Sequence, residues 1–423
     1  MASPFTKAVV SSMRTLYPEC LADKSFDNTG LLLEAPFLRE RRNRNSVLLT
    51  IDLTKAVAEE AIQNKHSVVV AYHPIIFRGL KSITLGDTQQ HTLLRLAAHG
   101  ISVYSPHTAV DIVPGGMGDW LCDVVTGKID PRTAENYTAG SSPSSITDRS
   151  TSASESSPPV NASNASNDQP ADPSTPKPKT KRPTNPHRAY SKPTYPRPTA
   201  AFHSNVLSHK RSVITPSPSA ALSAANALTD SDTYTSENTG SGRILTFDTP
   251  QPLTILITRI AHAIGLPKGF PVAIPQSSLV EDILVRTVGI CPGSGASVIS
   301  RASSPPDLIF TGEMSHHEAL AVTERGGCVV SLFHSNSERG YLWGVFRDRL
   351  EQHLNGEWEQ TRKQWKKEGG SWEDGIEEIL EDESVEVVVS ERDRDPYGIV
   401  VLEESEVQGI TLGVGTESED DDR

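Results

Sequence analysis

The sequence predicts an α/β fold, on three observations. Apolar runs of strand length, such as SVLLTIDLT (46–54) and SVVVAY (67–72), show no polar alternation and fit strands buried on both faces. Helical patterns of about 10 to 15 residues alternate with these runs, as layered α/β architectures require. Histidines and carboxylates fall just after the apolar runs, at the strand ends where α/β folds bind ligands.

The elements follow in order. Phe5, Val9, Val10, Met13 and Leu16 have helical spacing, and Pro18 closes that helix. In the polar loop DKSFDNTG, Asp27 and Asn28 either orient a turn or touch a ligand, and turn chemistry is the preferred reading. Strand 46–54 ends on Asp52 and Thr54, which caps the helix KAVAEEAIQNKH. Strand 67–72 ends on His73, which makes the first β-α-β unit. A helix around Gln89–His99 leads to the strand ISVYSPH and to HTAVDIVPGG, and MGDWLCDVVTG is the last helix of the first half.

The second half resumes with the strand RILTF, the amphipathic helix PLTILITRIAHAIGLP and one or two strands in LVEDILVRTVGI. The glycine-rich turn CPGSGASVISRA (291–302) then opens a helix. DLIF (307–310), a helix over Ser315–Arg325 and CVVSLF (328–333) follow, and VEVVVSERDRDPYGIV supplies a last strand. Each half begins with a helix and ends with an acidic residue near a histidine, so the halves read as related modules. The expected organisation is a lobe over 1–130, an insertion over 131–241, a second lobe over 242–412 with a peripheral charged segment at 356–384, and an acidic tail over 413–423.

Composition bounds the rest. Thirty prolines and a serine-rich centre leave roughly 270 to 300 of the 423 residues for a core. The Ser/Thr/Pro-rich insertion has too few apolar residues to offset its ordering entropy and is expected to be disordered. Its basic centre, from Lys177 to Arg197, reads as an extended linker, with nuclear import or polyanion binding as the alternative. A net charge of −13 argues against general nucleic-acid binding. Four cysteines without CxxC spacing read as reduced thiols, and no segment has the roughly 20 apolar residues of a membrane span, so the expected location is cytoplasmic or nuclear.

The chemistry concentrates between Thr311 and Arg339, which holds Glu313, His316, His317, His334 and Glu338. If the strand ends are neighbours, His73, His107 with Asp111, and His334 with Glu338 converge. Imidazole plus carboxylate suits zinc, iron, manganese or nickel, and a shared carboxylate can bridge two ions about 3.5 to 4 Å apart. His334 and Glu338 are spaced i to i+4 and share one face if a helix starts by Asn336. His316 and His317 are adjacent, so at most one points inward. Glu313 is a candidate proton carrier or a residue that orients a histidine. The turn through Gly293, Ser294 and Gly295 is either an anion cradle at a helix N-terminus or a tight structural turn.

SFDNTGLLL, IDLT, AYHPIIF, HTAVDIVPGGMGDWL, GICPGSGASVI, TGEMSHHEAL, HSNSER and SERDRDP stand in this order and together resemble the Nif-three-like family, often labelled GTP cyclohydrolase I type 2 homologs. The resemblance implies two related α/β lobes, a homohexamer and a dinuclear metal site in an internal cavity. It places the metal on His73, Asp111, His334 and Glu338. Many members carry two consecutive histidines where this chain has Tyr72 and His73, so a second ion is weakly held, moved onto His107, or absent. The label implies GTP ring opening with loss of formate; if such hydrolysis occurs, Glu313 or His316 would carry the proton and phosphates would meet the CPGSGAS turn, while Tyr72, His107 and His317 are candidates to support the ligands or to hold a second ion. Other members are described as transcription-factor partners. Two readings follow: a metal-dependent hydrolase of a small polar or nucleotide-like substrate, and a metal-stabilised scaffold whose insertion recruits partners.

Overall fold

Val47 and Leu49 of one strand face a large core, while Leu48 between them faces a smaller one, and all three are inaccessible to water. Side chains of a strand alternate between faces, so a strand buried on both sides must be apolar throughout. The computed structural model describes residues 3–37, 39–127, 195, 205–265, 268–368 and 375–401. The first sheet has the order β1 (Gly30–Leu33), β4 (Ser102–Ser105), β3 (His66–Ala71), β2 (Arg44–Thr50), β11 (Glu386–Val389). Only β1 runs antiparallel to its neighbour. Helices α2 (Lys55–Gln63) and α3 (Thr88–Ala98) cover its outer face through Val57, Ala61, Leu93 and Leu96. Thr54 caps α2 by accepting from the Val57 N–H, as expected, and Asp87 caps α3.

The second sheet has the order β5 (His209–Pro216), β6 (Gly240–Pro252), β8 (Leu284–Ser294), β9 (Leu308–Glu313), β10 (Cys328–Ser331), β7 (Val272–Ala273). β8, β9 and β10 are parallel, and the outer strands are antiparallel. The inner faces of both sheets share one core with helices α1 (Pro4–Leu16), α4 (Thr108–Ile112), α5 (Met117–Thr126), α6 (Ser219–Thr229) and α7 (Leu253–Ile264). Asp119 of α5, half-buried, and the buried Arg243 of β6 form an ion pair at 2.8 Å that joins the two halves.

Three expectations change. Residues 205–241 were assigned to the insertion, but they carry β5 and α6. β5 is an edge strand whose residues are mostly exposed, so its order comes from backbone pairing with β6 and leaves little apolar signal. The rest of the insertion apart from Tyr195, with its basic centre, lies outside the described residues, as does the acidic tail. The segment from 356 was assigned to the periphery. Past α8 (Ala296–Ile299), α9 (His316–Glu324), α10 (Asn336–Tyr341) and a π-helical turn at Leu342–Phe346, helix α11 (Arg347–Glu368) instead buries Leu350, Leu354 and Trp358. Trp358 meets Phe5 edge to face with centroids 5.4 Å apart, and its indole N–H donates to the Asp382 carbonyl beyond α12 (Ile376–Glu381). The last strand, expected in the second lobe, pairs with β2 of the first sheet.

Candidate metal centre

The carboxyl ends of the parallel strands in both sheets open on one cavity of about 760 Å³. From the first sheet, β2 delivers Asp52, β3 delivers Tyr72 and His73, and β4 delivers His107. From the second, β8 delivers Gly293, β10 delivers His334, and α10 presents Glu338. Asp111, on α4, completes the predicted ligand set in the same cavity.

Three of these side chains converge. His73 Nε2 lies 3.5 Å from Glu338 Oε2, and His334 Nε2 lies 3.6 Å from Glu338 Oε1. The donor atoms of His73, His334 and Glu338 are all within 4.8 Å of one another. Each imidazole is fixed from behind. His73 Nδ1–H donates to Asp52 at 2.9 Å, and His334 Nδ1–H donates to Glu313 at 2.8 Å. Carboxylates that hold Nδ1 leave Nε2 as the ligating atom and set the ring orientation.

The set fits a divalent ion. Glu338 is 1% exposed, and its Oε2 has no hydrogen-bond partner. A buried carboxylate needs a compensating positive charge, which His73 Nε2 at 3.5 Å supplies when protonated and a cation among these donors would supply in its place. Two imidazoles and a carboxylate suit zinc, iron, manganese or nickel. Burial, with Glu338 next, pushes Asp111 well above the usual carboxylate range. Burial alone lowers the His73 pKa, but Glu338 and Asp52 outweigh it and hold it at about 10.

Tyr72 and His107 form the neighbouring wall. Tyr72 Oη–H faces both oxygens of Asp111, at 2.9 and 3.0 Å. Asp27 accepts from His107 Nδ1–H at 2.6 Å and from the Thr108 amide at 3.2 Å, so it is a clamp on the site rather than only a turn residue. Two of the four non-glycine residues with positive φ among the described residues are at or next to the site. His107 has φ +35° and Phe333 has φ +67°, conformations that non-glycine residues seldom keep away from functional sites.

The other predicted residues are placed differently. Glu313 is outside the cavity lining and acts on His334 and on Ser294, whose Oγ–H donates to it. His316 and His317 are exposed on the first turn of α9, stacked edge to face on each other, and do not line the cavity. Gly293 N–H donates to Ser337 Oγ and Gly295 N–H to Thr311 Oγ1, so neither amide is open to an anion. Ser294 does line the cavity. Gly293 has a different importance: at φ +57°, a Cβ there would lie 2.8 Å from Glu338 Oε1 and 2.9 Å from His334 Nε2.

A family model for Duf34/NIF3 (NGG1p interacting factor 3) matches residues 5–366. The chain belongs to the Duf34/NIF3 family. It is 36% identical over 351 residues to the protein NIF3 homolog of Schizosaccharomyces pombe, covering 82% of this chain and 90% of the relative. It is 27% identical over 396 residues to the NGG1-interacting factor 3 of Saccharomyces cerevisiae, covering 92% and 96%. The solved structure of a Bacillus cereus protein related to NIF3 aligns with a TM-score of 0.52 at 17% identity, covering 93% of this chain and 98% of that one, which supports a shared Duf34/NIF3 fold. Among the described residues no helix is long and apolar enough to cross a membrane.

Sequence reasoning named Asp27 and Asp52 without their role as imidazole partners, and missed Asp393 and Asp395, in this Duf34/NIF3 chain. Asp27 and Asp52 hold imidazoles. Asp393 accepts from the Ile51 amide at 2.7 Å and from Arg339 at 2.9 Å, tying the first sheet to α10. Asp395 accepts from the Ser335 amide and hydroxyl at the start of α10. The available signal was position: Asp52 ends the apolar run of β2, and Asp393 and Asp395 follow the last strand.

Proposed function

We propose that the chain is a divalent-metal-dependent hydrolase acting on a small polar, nucleotide-like substrate. The observation that carries this reading is the buried Glu338 carboxylate, whose Oε2 faces His73 Nε2 and whose Oε1 faces His334 Nε2. Zinc, iron, manganese or nickel held by His73, His334 and Glu338 would supply Lewis acidity and make water a stronger acid. Asp52 and Glu313 fix the two imidazoles, so Glu313 is a positioning residue acting through His334. With Nδ1 engaged by Asp27, His107 has Nε2 left to take or deliver a proton in the cavity.

The mouth supports the substrate class. Phe26 and Phe77 are 51% and 47% exposed, with centroids 6.3 Å apart, and both rings abut His107. Exposed aromatic faces stack heterocyclic rings. Arg301 lines the same cavity, and among the described residues no carboxylate pairs with it, which suits an anionic group. A metabolite screen with metal-loaded protein tests the reading: a compound consumed by the wild type and left intact by His334→Ala supports it, and no consumption by either contradicts it.

The name of the S. cerevisiae relative, NGG1-interacting factor 3, speaks of a protein partner and favours a second reading, a metal-stabilised scaffold acting through protein partners; the family resemblance adds a role in transcription, and the composition adds a cytoplasmic and nuclear location. Deleting 131–194 should then abolish partner capture and leave metal content unchanged; retained capture contradicts it. The family resemblance supports homohexamer assembly under both readings, and light scattering on the full chain measures it.

A further inference from the structure

The cavity wall carries two groups of ligand-type side chains, and they are built differently. His73, His334 and Glu338 bring their donor atoms together, and among the described residues no other three His, Cys, Asp or Glu side chains do so. The second group, His107 and Asp111, lies beside the first: the His107 and His73 rings have centroids 5.5 Å apart. Tyr72 touches both groups. Its hydroxyl faces both oxygens of Asp111, at 2.9 and 3.0 Å. The Tyr72 ring touches both His73 and His107, at 4.9 and 5.3 Å between centroids, and is 2% exposed. The Ser105 hydroxyl donates to its backbone carbonyl at 2.8 Å, which fixes the main chain as well.

A neutral phenol at this position does two things. It gives Asp111 a hydrogen-bond donor, and it contributes a poor ligand for a divalent ion. His107 is then left without two committed partners, since its Nδ1 already serves Asp27 and the Asp111 carboxyl is engaged by Tyr72.

We infer that the centre takes a single divalent ion, and that Tyr72 sets this count by engaging Asp111 and presenting a phenol, a poor ligand, beside His73 and His107. The inference rests on the metal reading above but concerns stoichiometry. Replacing the phenol by an imidazole would put a third donor beside His107 and Asp111 and complete a second ligand set. Removing only the hydroxyl would free Asp111 without adding a donor.

Zinc is the probe, and the full chain is titrated by equilibrium dialysis with elemental analysis and by calorimetry. The wild type should bind one zinc per chain. Tyr72→His should bind two, and Tyr72→His with His107→Ala should return to one. Tyr72→Phe keeps the ring and the packing; it should show a second uptake at least tenfold weaker than the first and absent from the wild type. Two ions in the wild type would overturn the inference while leaving the metal reading intact. One ion in Tyr72→His together with an unchanged Tyr72→Phe titration would do the same. No ion in the wild type would overturn the metal reading itself.

Discussion

Asp52 and His73 end neighbouring parallel strands, β2 and β3, and meet at 2.9 Å between Oδ1 and Nδ1. The strand register therefore sets the orientation of the imidazole. His334 is held in the same manner by Glu313, and His107 by Asp27, so three imidazoles around one cavity each rest on a carboxylate. Structural ion pairs are normally scattered, whereas supported imidazoles grouped at strand ends are the arrangement of a ligand site.

Removing that support tests its role. Asp52→Asn keeps the side-chain shape and should lower zinc affinity by about 10 to 100-fold, the usual cost of losing such a partner. The measurement is a zinc titration of variant and wild type, and equal affinities would show that Asp52 is not orienting a ligand.

Proton linkage follows from the His73 pKa of about 10 in the metal-free chain, against about 6.5 when unfolded. The folded value is raised, so the stabilisation is fully present below pH 6.5 and is lost as pH rises through 10. An ion on Nε2 must displace that proton, so metal affinity should rise with pH, by up to about tenfold per unit. Calorimetry at pH 7 in buffers of different protonation enthalpy should register proton release on zinc binding. Heats independent of the buffer would contradict this.

Gly293→Ala places a methyl 2.8 Å from Glu338 Oε1 and 2.9 Å from His334 Nε2. It also puts a side chain at φ +57°, which adds roughly 1 to 2 kcal/mol of backbone strain. The expected result is a folded protein, by circular dichroism, that has lost metal binding. Unchanged binding would mean that the ligands do not converge where the turn approaches them.

Trp358→Ala separates core from site. Trp358 is 1% exposed and packed on Phe5, so truncation should cost about 3 to 5 kcal/mol. Denaturant unfolding reads this directly, and a loss under about 1 kcal/mol would return α11 to the periphery.

The strands of both parallel regions are legible in the sequence because burial on both faces leaves a continuous apolar run, as in Val47–Thr50 and Val68–Ala71. His73 and His334 are legible for the same reason, since each follows such a run. β5 is not, because its order comes from hydrogen bonds to β6 and not from its own side chains. Trp358 was lost among charged neighbours, although Leu350, Leu354 and Trp358 keep an i, i+4, i+8 stripe. The supporting aspartates show least, because an Asp that holds an imidazole and one that forms a turn look alike until the strands are paired. For Asp27 the turn reading misplaced the residue's main contact, which lies 80 positions away in sequence.

The most direct test of the centre is the zinc content of the full-length chain, as wild type and as Glu338→Gln, after equilibration with excess ion and removal of unbound metal. The geometry of His73, His334 and Glu338 predicts stoichiometric zinc in the wild type and at least a tenfold loss of affinity in the variant. A wild type without stoichiometric metal, or a variant that retains it equally well, would contradict the assignment of these three residues as a metal centre.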